Sequence, residues 1–284
     1  MRMSTRVRRT FATLATGALV VIGTLSGAAA ANAAPLPAAS VTKMAALGDS
    51  ITQALMSCSG LSNCQANSWS TGSSATVNSH LLRLKAAGAP ATLVGYNNSV
   101  TGSLSGALNG QAQKAVTQGA NYVTIEIGAN DACTRTVAQM TPTATYKANV
   151  QAALATLAAG AAKPQVFVAS VPSLQRLYEV NRSNISARLV WGLLGICQSM
   201  LANPSSTQTA DVQRRAAVQQ RVNEYNLALA EVCTAAVNCR YDGGALANYV
   251  FTRADISTRD YFHPSVTGQA TLAAQTWPKT QWAS

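Results

Sequence analysis

Ser50, Asp260 and His263, together with Gly102 and Asn130, are the residues of this chain whose types and spacing could do chemistry. Ser50 lies in Gly48-Asp49-Ser50-Ile51-Thr52 and offers a hydroxyl nucleophile. Asp260-Tyr261-Phe262-His263 offers a base with an acid three residues before it, so one turn of chain brings both side chains to the same side. The carboxylate would hold the imidazole tautomer and stabilise the imidazolium formed as Ser50 loses its proton. Gly102 lacks a Cβ and lets a backbone N–H approach a ligand closely. The side-chain amide of Asn130, in Gly128-Ala129-Asn130-Asp131, would add a donor beside the N–H groups of Ser50 and Gly102. Nucleophile, base, acid and oxyanion donors are the parts that serine-based acyl transfer requires.

Each part alone has a plainer reading. Gly-Asp-Ser is a common turn and cap sequence. Thr52 stands where the α/β-hydrolase elbow needs glycine, which argues against that fold. His80 competes with His263 as the base, but it borders the apolar stripe of Val77, Leu81 and Leu84 and reads as a structural histidine. Asp49 and Asp131 read as turn braces, and Glu126 alternates with Val123, Ile125 and Ile127 in a strand. Asp255 is the fallback partner for His263 and lacks the three-residue spacing.

The elements that must position these residues follow from apolar patterning. Short apolar runs at 44–47, 91–96, 122–127 and 166–171 alternate with helical stripes, the signature of a parallel sheet covered by helices on both faces. The motifs fall just after strand ends, the edge where open α/β sheets bind ligands. Ser50 is expected on a sharp turn at the head of a helix, its N–H facing a developing negative charge. One stripe, Tyr146, Val150, Leu154 and Leu157, has Thr141 as its expected N-cap and Pro142 at the first position. Val218, Val222, Tyr225, Leu229 and Val232 make the longest stripe. Residues 53–74 and 173–209 break the alternation and are expected to wall a binding site, with 189–194 as an apolar slot.

Four arginines precede the small and apolar run 12–31, which ends in Ala31-Asn32-Ala33. That pattern predicts a signal peptide over 1–33, a short linker over 34–40 and one domain over 41–284. The apolar core of the leader is too short to span a bilayer. Arg8-Arg9-Thr10-Phe11 loosely resembles a twin-arginine signal, so the export route stays open. Without those four arginines the formal charge of +11 falls to +7. No Lys/Arg run survives to form a nucleic-acid footprint. Six cysteines in an exported chain read as three disulfides, and sequential pairing is expected: Cys58–Cys64, Cys133–Cys197 and Cys233–Cys239. A zinc site is the rival reading, but no Cys-x-x-Cys occurs and both histidines lie far from the cysteine pairs.

The four motif segments resemble blocks I, II, III and V of the SGNH, or GDSL, hydrolases. The cysteine pattern looks like secreted actinobacterial lipases and esterases of that family. The resemblance implies a flavodoxin-like three-layer α/β/α sandwich with a central parallel sheet. It implies Ser50 as nucleophile, His263 as base, Asp260 as its partner, and an oxyanion hole of the Ser50 and Gly102 amides with the Asn130 side chain. The chain is therefore expected to be a secreted, monomeric serine esterase or lipase, without cofactor or metal, acting through an acyl-enzyme. Its substrates would be lipid or acylated small-molecule esters, with transient contact to a lipid surface and no nucleic acid. A polysaccharide acetylesterase is the second reading. A non-catalytic secreted binding protein on the same scaffold is the reading from another class.

Overall fold

The computed structural model describes Met1 and residues 36–283. The chain divides into two units, Met1–Ala31 and Asn32–Ser284, and the sheet with all its helices belongs to the second. The expected leader and its cleavage site lie outside the described residues.

Among the described residues the strands β1 (Lys43–Gly48), β2 (Val94–Asn97), β3 (Tyr122–Glu126), β4 (Gln165–Val168) and β5 (Cys239–Tyr241) form one sheet in the order β2-β1-β3-β4-β5. Every neighbouring pair is parallel. The helices in chain order are α1 (His80–Ala86), α2 (Leu108–Gln118), α3 (Ala129–Ala132), α4 (Thr143–Ala159), α5 (Leu174–Asn181), α6 (Ile185–Leu193), α7 (Gln198–Leu201), α8 (Thr209–Ala235) and α9 (Val266–Thr276). The sheet is buried on both faces, so β1 and β3 read as nearly continuous apolar runs.

On one face Val123 and Ile125 meet the layer of α2, α4 and α8, where Tyr146 stacks on Tyr225 and donates to the carbonyl of Ile127 at 2.7 Å. The other face is more polar. His80 of α1 lies between the Tyr122 hydroxyl of β3 and the Thr276 hydroxyl of α9, at 3.0 and 2.8 Å, and the hydroxyls of Ser70 and Thr124 meet at 2.6 Å. The result is the α/β/α sandwich that the motif order implies.

Several boundaries differ from the sequence reading. Residues 91–93 turn rather than pair, because Leu93 N–H closes on the carbonyl of Pro90. The run at 166–171 ends early: Ser170 N–H goes to the Asp242 carboxylate and Val171 N–H to Asn226, which diverts the backbone from the ladder. Val77 precedes α1, since Asn78 takes a left-handed φ of 49° and Ser79 caps the helix. Thr141 does not cap α4, which begins at Thr143 after Pro142. The Thr141 carbonyl instead accepts from Arg221 and from the Tyr225 hydroxyl. The strand β5 has no counterpart in the sequence reading.

The disulfides join Cys58 to Cys64, Cys133 to Cys197 and Cys233 to Cys239. The second ties the end of α3 to the start of α7. The carbonyl of Leu36 accepts from Gln281 and from the Trp282 indole. No described helix is long and apolar enough to cross a membrane.

Candidate active site

The chain runs from β1 out to β2 and then back across β1 to β3, so the carboxyl ends of β1 and β3 flank the switch point of the sheet. A crevice opens there because the connections leave on opposite sides. Ser50 follows β1 and Asn130 follows β3, which places both at its mouth. Gly48 makes the exit from β1 possible. Its φ is +144°, and a Cβ there would stand 2.0 Å from the carbonyl oxygen of Glu126. Gln111 of α2 clamps the same residue, accepting from Gly48 N–H at 2.7 Å and donating to its carbonyl at 2.9 Å.

Ser50 does not head a helix as expected. The Gln53 and Leu55 N–H groups reach back to Asp49 and Ser50, but left-handed Ala54 and Met56 stop the winding after one turn. The segment is a tight turn. The Ile51 N–H goes to Asp49 Oδ1, while that of Ser50 meets no protein acceptor among the described residues.

The residues 257–263 form a closed loop. Ser257 N–H donates to His263 O at 2.8 Å and Tyr261 N–H to Ser257 O at 2.9 Å, while Tyr261 takes a left-handed φ of 55°. This folding back brings Asp260 under the ring of His263. Asp260 Oδ2 lies 2.5 Å from His263 Nδ1, and Oδ1 accepts the N–H groups of Phe262 and His263 at 3.0 and 3.1 Å. The other ring nitrogen, Nε2, is 2.8 Å from Ser50 Oγ. A carboxylate with three donors fixes the ring, and the ring reaches the Ser50 hydroxyl in the turn after β1.

Gly102 sits in the loop after β2 with a φ of +81° and open space where a Cβ would stand. Its N–H, too, meets no protein acceptor among the described residues. The loop is held against the Ser50 turn: Val100 N–H donates to Gly48 O, and the side chains of Asn97 and Gln53 bond Thr52 O and Ser99 O. Asn130 Nδ2 donates to Ser103 O at 3.1 Å and, more weakly, to Asp49 Oδ2 at 3.4 Å. The segments carrying Ser50, Gly102 and Asn130 are thus stitched together by direct hydrogen bonds.

The rival residues lie elsewhere. His80 is fully buried, and burial holds its ring down to about 3, so it stays neutral. Asp255 closes a capping box on Thr252 and accepts from Thr271 rather than from His263. Asp131 accepts the N–H and hydroxyl of Ser105, bracing the start of the segment that leads into α2. Asp49 accepts Ile51 N–H at 2.9 Å, and burial pushes its carboxyl up to about 7, partly offset by that bond and by His263. Glu126 departs from a plain strand residue. Both its carboxyl oxygens are buried without a hydrogen-bond partner, and burial, with Asp49 and Asp242 nearby, raises it well above the ordinary carboxylate range.

A narrow apolar slot of about 40 Å³ opens beside the turn, lined by Ile51, Ala129, Leu174, Leu177, Phe251 and Phe262 among others. Of these, Ile51, Ala129 and Phe262 directly adjoin Ser50, Asn130 and His263 in sequence. The slot is not built from 189–194 as expected, because Leu189, Leu193 and Leu194 face outward and only Trp191 is buried. A wider cleft of about 460 Å³ begins at Tyr122, Gln165 and Cys239, the amino ends of their strands, and so lies at the opposite edge of the sheet. Among the described residues no group of three or more His, Cys, Asp or Glu side chains could hold a metal ion.

Comparison with known families decides what this assembly is. The model of the GDSL-like Lipase/Acylhydrolase family matches residues 46–271. The chain belongs to that family. This GDSL hydrolase is accordingly a carboxylic ester hydrolase. No curated protein matches it. Among solved structures it is similar to phospholipase A1 from Streptomyces albidoflavus NA297, at 16% identity over 84% of this chain and 100% of that one, with a TM-score of 0.49. It is also similar to an extracellular lipase from Streptomyces rimosus, at 16% identity, 83% and 99% coverage and a TM-score of 0.48. A third is the psychrotrophic esterase EstA from Pseudoalteromonas sp., at 15% identity, 84% and 96% coverage and a TM-score of 0.46.

Two features of this GDSL hydrolase were beyond sequence reasoning. Gln111 lies 63 residues from the glycine it clamps, and nothing in its helix marks it. The slot draws on residues from 51 to 264, so no local pattern announces it.

Proposed function

We propose that this ester hydrolase is a secreted serine esterase or lipase working through an acyl-enzyme. Ser50 Oγ attacks the ester carbonyl as His263 Nε2 takes its proton, giving a tetrahedral oxyanion. His263 returns that proton to the leaving alkoxide as the C–O bond breaks. Water, deprotonated by the same nitrogen, then adds to the acyl carbon and releases Ser50 and the acid. Asp260 keeps Nδ1 protonated and aimed, so that Nε2 is free to accept. The oxyanion is received by the Ser50 and Gly102 N–H groups and by Asn130, whose long contact to Asp49 is the one it would displace.

The observation that carries this reading is the continuous Ser50–His263–Asp260 relay, at 2.8 and 2.5 Å. Secretion is supported by the leader-like first 33 residues and by the disulfides. A chain cut there would retain a 41–284 domain, monomeric and without cofactor.

For the substrate, the apolar slot supports acyl esters of lipids or small molecules, with transient contact to a lipid surface. Its narrowness favours short chains, and so gives the acetylesterase reading its one point of support. A panel of soluble esters from acetyl to decanoyl, phospholipids and acetylated glycans separates the two. Medium-chain preference supports the lipase-like reading, and faster acetate release from glycans overturns it. A fluorophosphonate adduct on Ser50, absent in Ser50→Ala along with turnover, tests the mechanism. Full activity in that variant would reject it.

A further inference from the structure

Helix α6 presents its apolar side to solvent. Ile185, Leu189 and Leu193, spaced four residues apart, are 67, 61 and 83% exposed, and Leu194 beyond them is 64% exposed. At 100° per residue the three span a single 80° stripe. The opposite side holds Ala187 and Trp191, both fully buried. The helix is therefore correctly seated, and the outward leucines are not a packing accident. An uninterrupted apolar stripe of this kind on a soluble face marks a contact surface.

Its surroundings indicate what would cover it. No acidic residue occurs between 180 and 210, while Arg182 and Arg188 lie on the same stretch. Arg182 is exposed. Arg253 reaches the segment just before the helix through Val180 O and Ser183 Oγ. An apolar stripe whose own segment, 180–210, carries arginines and no acid matches a surface of acyl chains beneath anionic headgroups. The buried side of the same helix is tied to the active-site loop. The Trp191 indole donates to Tyr261 O at 3.2 Å, two residues before His263.

We propose that α6 docks this enzyme on an anionic phospholipid surface through Ile185, Leu189, Leu193 and Leu194, with Arg182, Arg188 and Arg253 meeting the headgroups. Seating α6 brings the loop that carries His263 to the interface, so ester delivery and docking are coupled. The inference names the surface that the ester-hydrolase reading leaves open, and rests on it.

The test is co-sedimentation of the full mature chain with phosphatidylglycerol and phosphatidylcholine vesicles, wild type beside Leu189→Ser/Leu193→Ser. Both serines replace exposed side chains outside the reacting groups, so turnover of a water-soluble acetyl ester should stay within twofold. Binding to phosphatidylglycerol should fall at least tenfold in the variant, and in wild type should weaken from 50 to 500 mM NaCl. Equal sedimentation of the two proteins, no sedimentation of wild type, or equal binding to neutral and anionic vesicles would overturn the proposal. So would a wild-type dimer in sedimentation velocity that the two serines convert to monomer, since the stripe would then be an interface between copies. Ser50→Ala should bind vesicles like wild type, so loss of docking and loss of the hydrolase reading are separate results.

Discussion

Asp260 is the residue on which the geometry around Ser50 converges, because its carboxylate accepts from one ring nitrogen and two backbone N–H groups at once. An amide in its place would turn a donor toward His263 or release the loop, leaving the imidazole in the wrong tautomer. Asp260→Asn is expected to lower kcat on a soluble ester on the order of 10³-fold with the thermal transition little changed. A kcat within threefold of wild type would remove Asp260 from the relay. Asn130→Ala should lose on the order of 10²-fold in kcat at unchanged substrate affinity, since its donor acts on charge present only in the transition state. Glu126 poses a different question. Its folded-state carboxyl is held well above its unfolded value by burial and by Asp49 and Asp242, so it stabilises the fold fully only below about pH 4 and that contribution drains as pH rises. Glu126→Gln cannot ionise. Its melting temperature relative to wild type should therefore climb between pH 5 and 8, and a constant difference would sink the assignment. The pairing of Asp260 with His263 was legible in the sequence because it rests on local spacing. The environment of Glu126 was not, since it depends on Asp49 and Asp242, brought in from the ends of two other strands.

At the scale of elements, the strands after which Ser50, Gly102 and Asn130 fall were legible through their apolar runs, and α1, α4 and α8 through their stripes. What failed was local and had local causes: a side-chain carboxylate that ends β4, a left-handed Asn78 that delays α1, and a β5 of only three residues that is too short for any pattern. The run at 189–194 misled for another reason. Consecutive apolar residues suggest a buried wall, but helical periodicity turns only Trp191 inward and leaves the leucines outside. The disulfide between Cys133 and Cys197 joins that insertion to α3, the element bearing Asn130. In the chain-entropy view, closing a loop across a separation of 64 residues contributes about 4 kcal/mol. The double variant Cys133→Ala/Cys197→Ala should lose roughly that much in urea unfolding, and its kcat should fall as Asn130 gains freedom. Replacing the Cys233–Cys239 pair, remote from α3, should affect stability without touching kcat. If the two variants lose kcat equally, the long disulfide has no role in positioning the site.

For the whole molecule, the parallel sheet and the placement of Ser50, Gly102 and Asn130 at its carboxyl edge were readable because each of the three follows a strand. The polar face beneath α1 and α9 was not, and it governs how the molecule should answer to pH. His80 lies there among Trp69, Phe167 and Trp277, with both nitrogens bonded, and burial keeps it neutral down to about 3. An unfolded histidine takes a proton near pH 6.5, so between about 6.5 and 3 the unfolded chain binds a proton that the folded chain refuses. The stability contributed by neutral His80 is thus complete above about pH 6.5 and drains by as much as ~1.4 kcal/mol per unit as pH falls. Asp49 and Glu126 run in the opposite sense. Their carboxyls are raised in the fold, Asp49 to about 7, and their contributions drain as pH rises from about 4. Opposed slopes in one window flatten the wild-type response, and removing one side exposes the other. His80→Gln keeps polar groups for Tyr122 and Thr276 but cannot take the proton. Its unfolding free energy, lower than wild type at pH 7, should therefore approach the wild-type value steadily between pH 6.5 and 4. Urea unfolding of both proteins across that range measures the gap directly. A gap that stays constant would mean that His80 titrates alike in the folded and unfolded chains, and the polar face would then be no barrier to its proton.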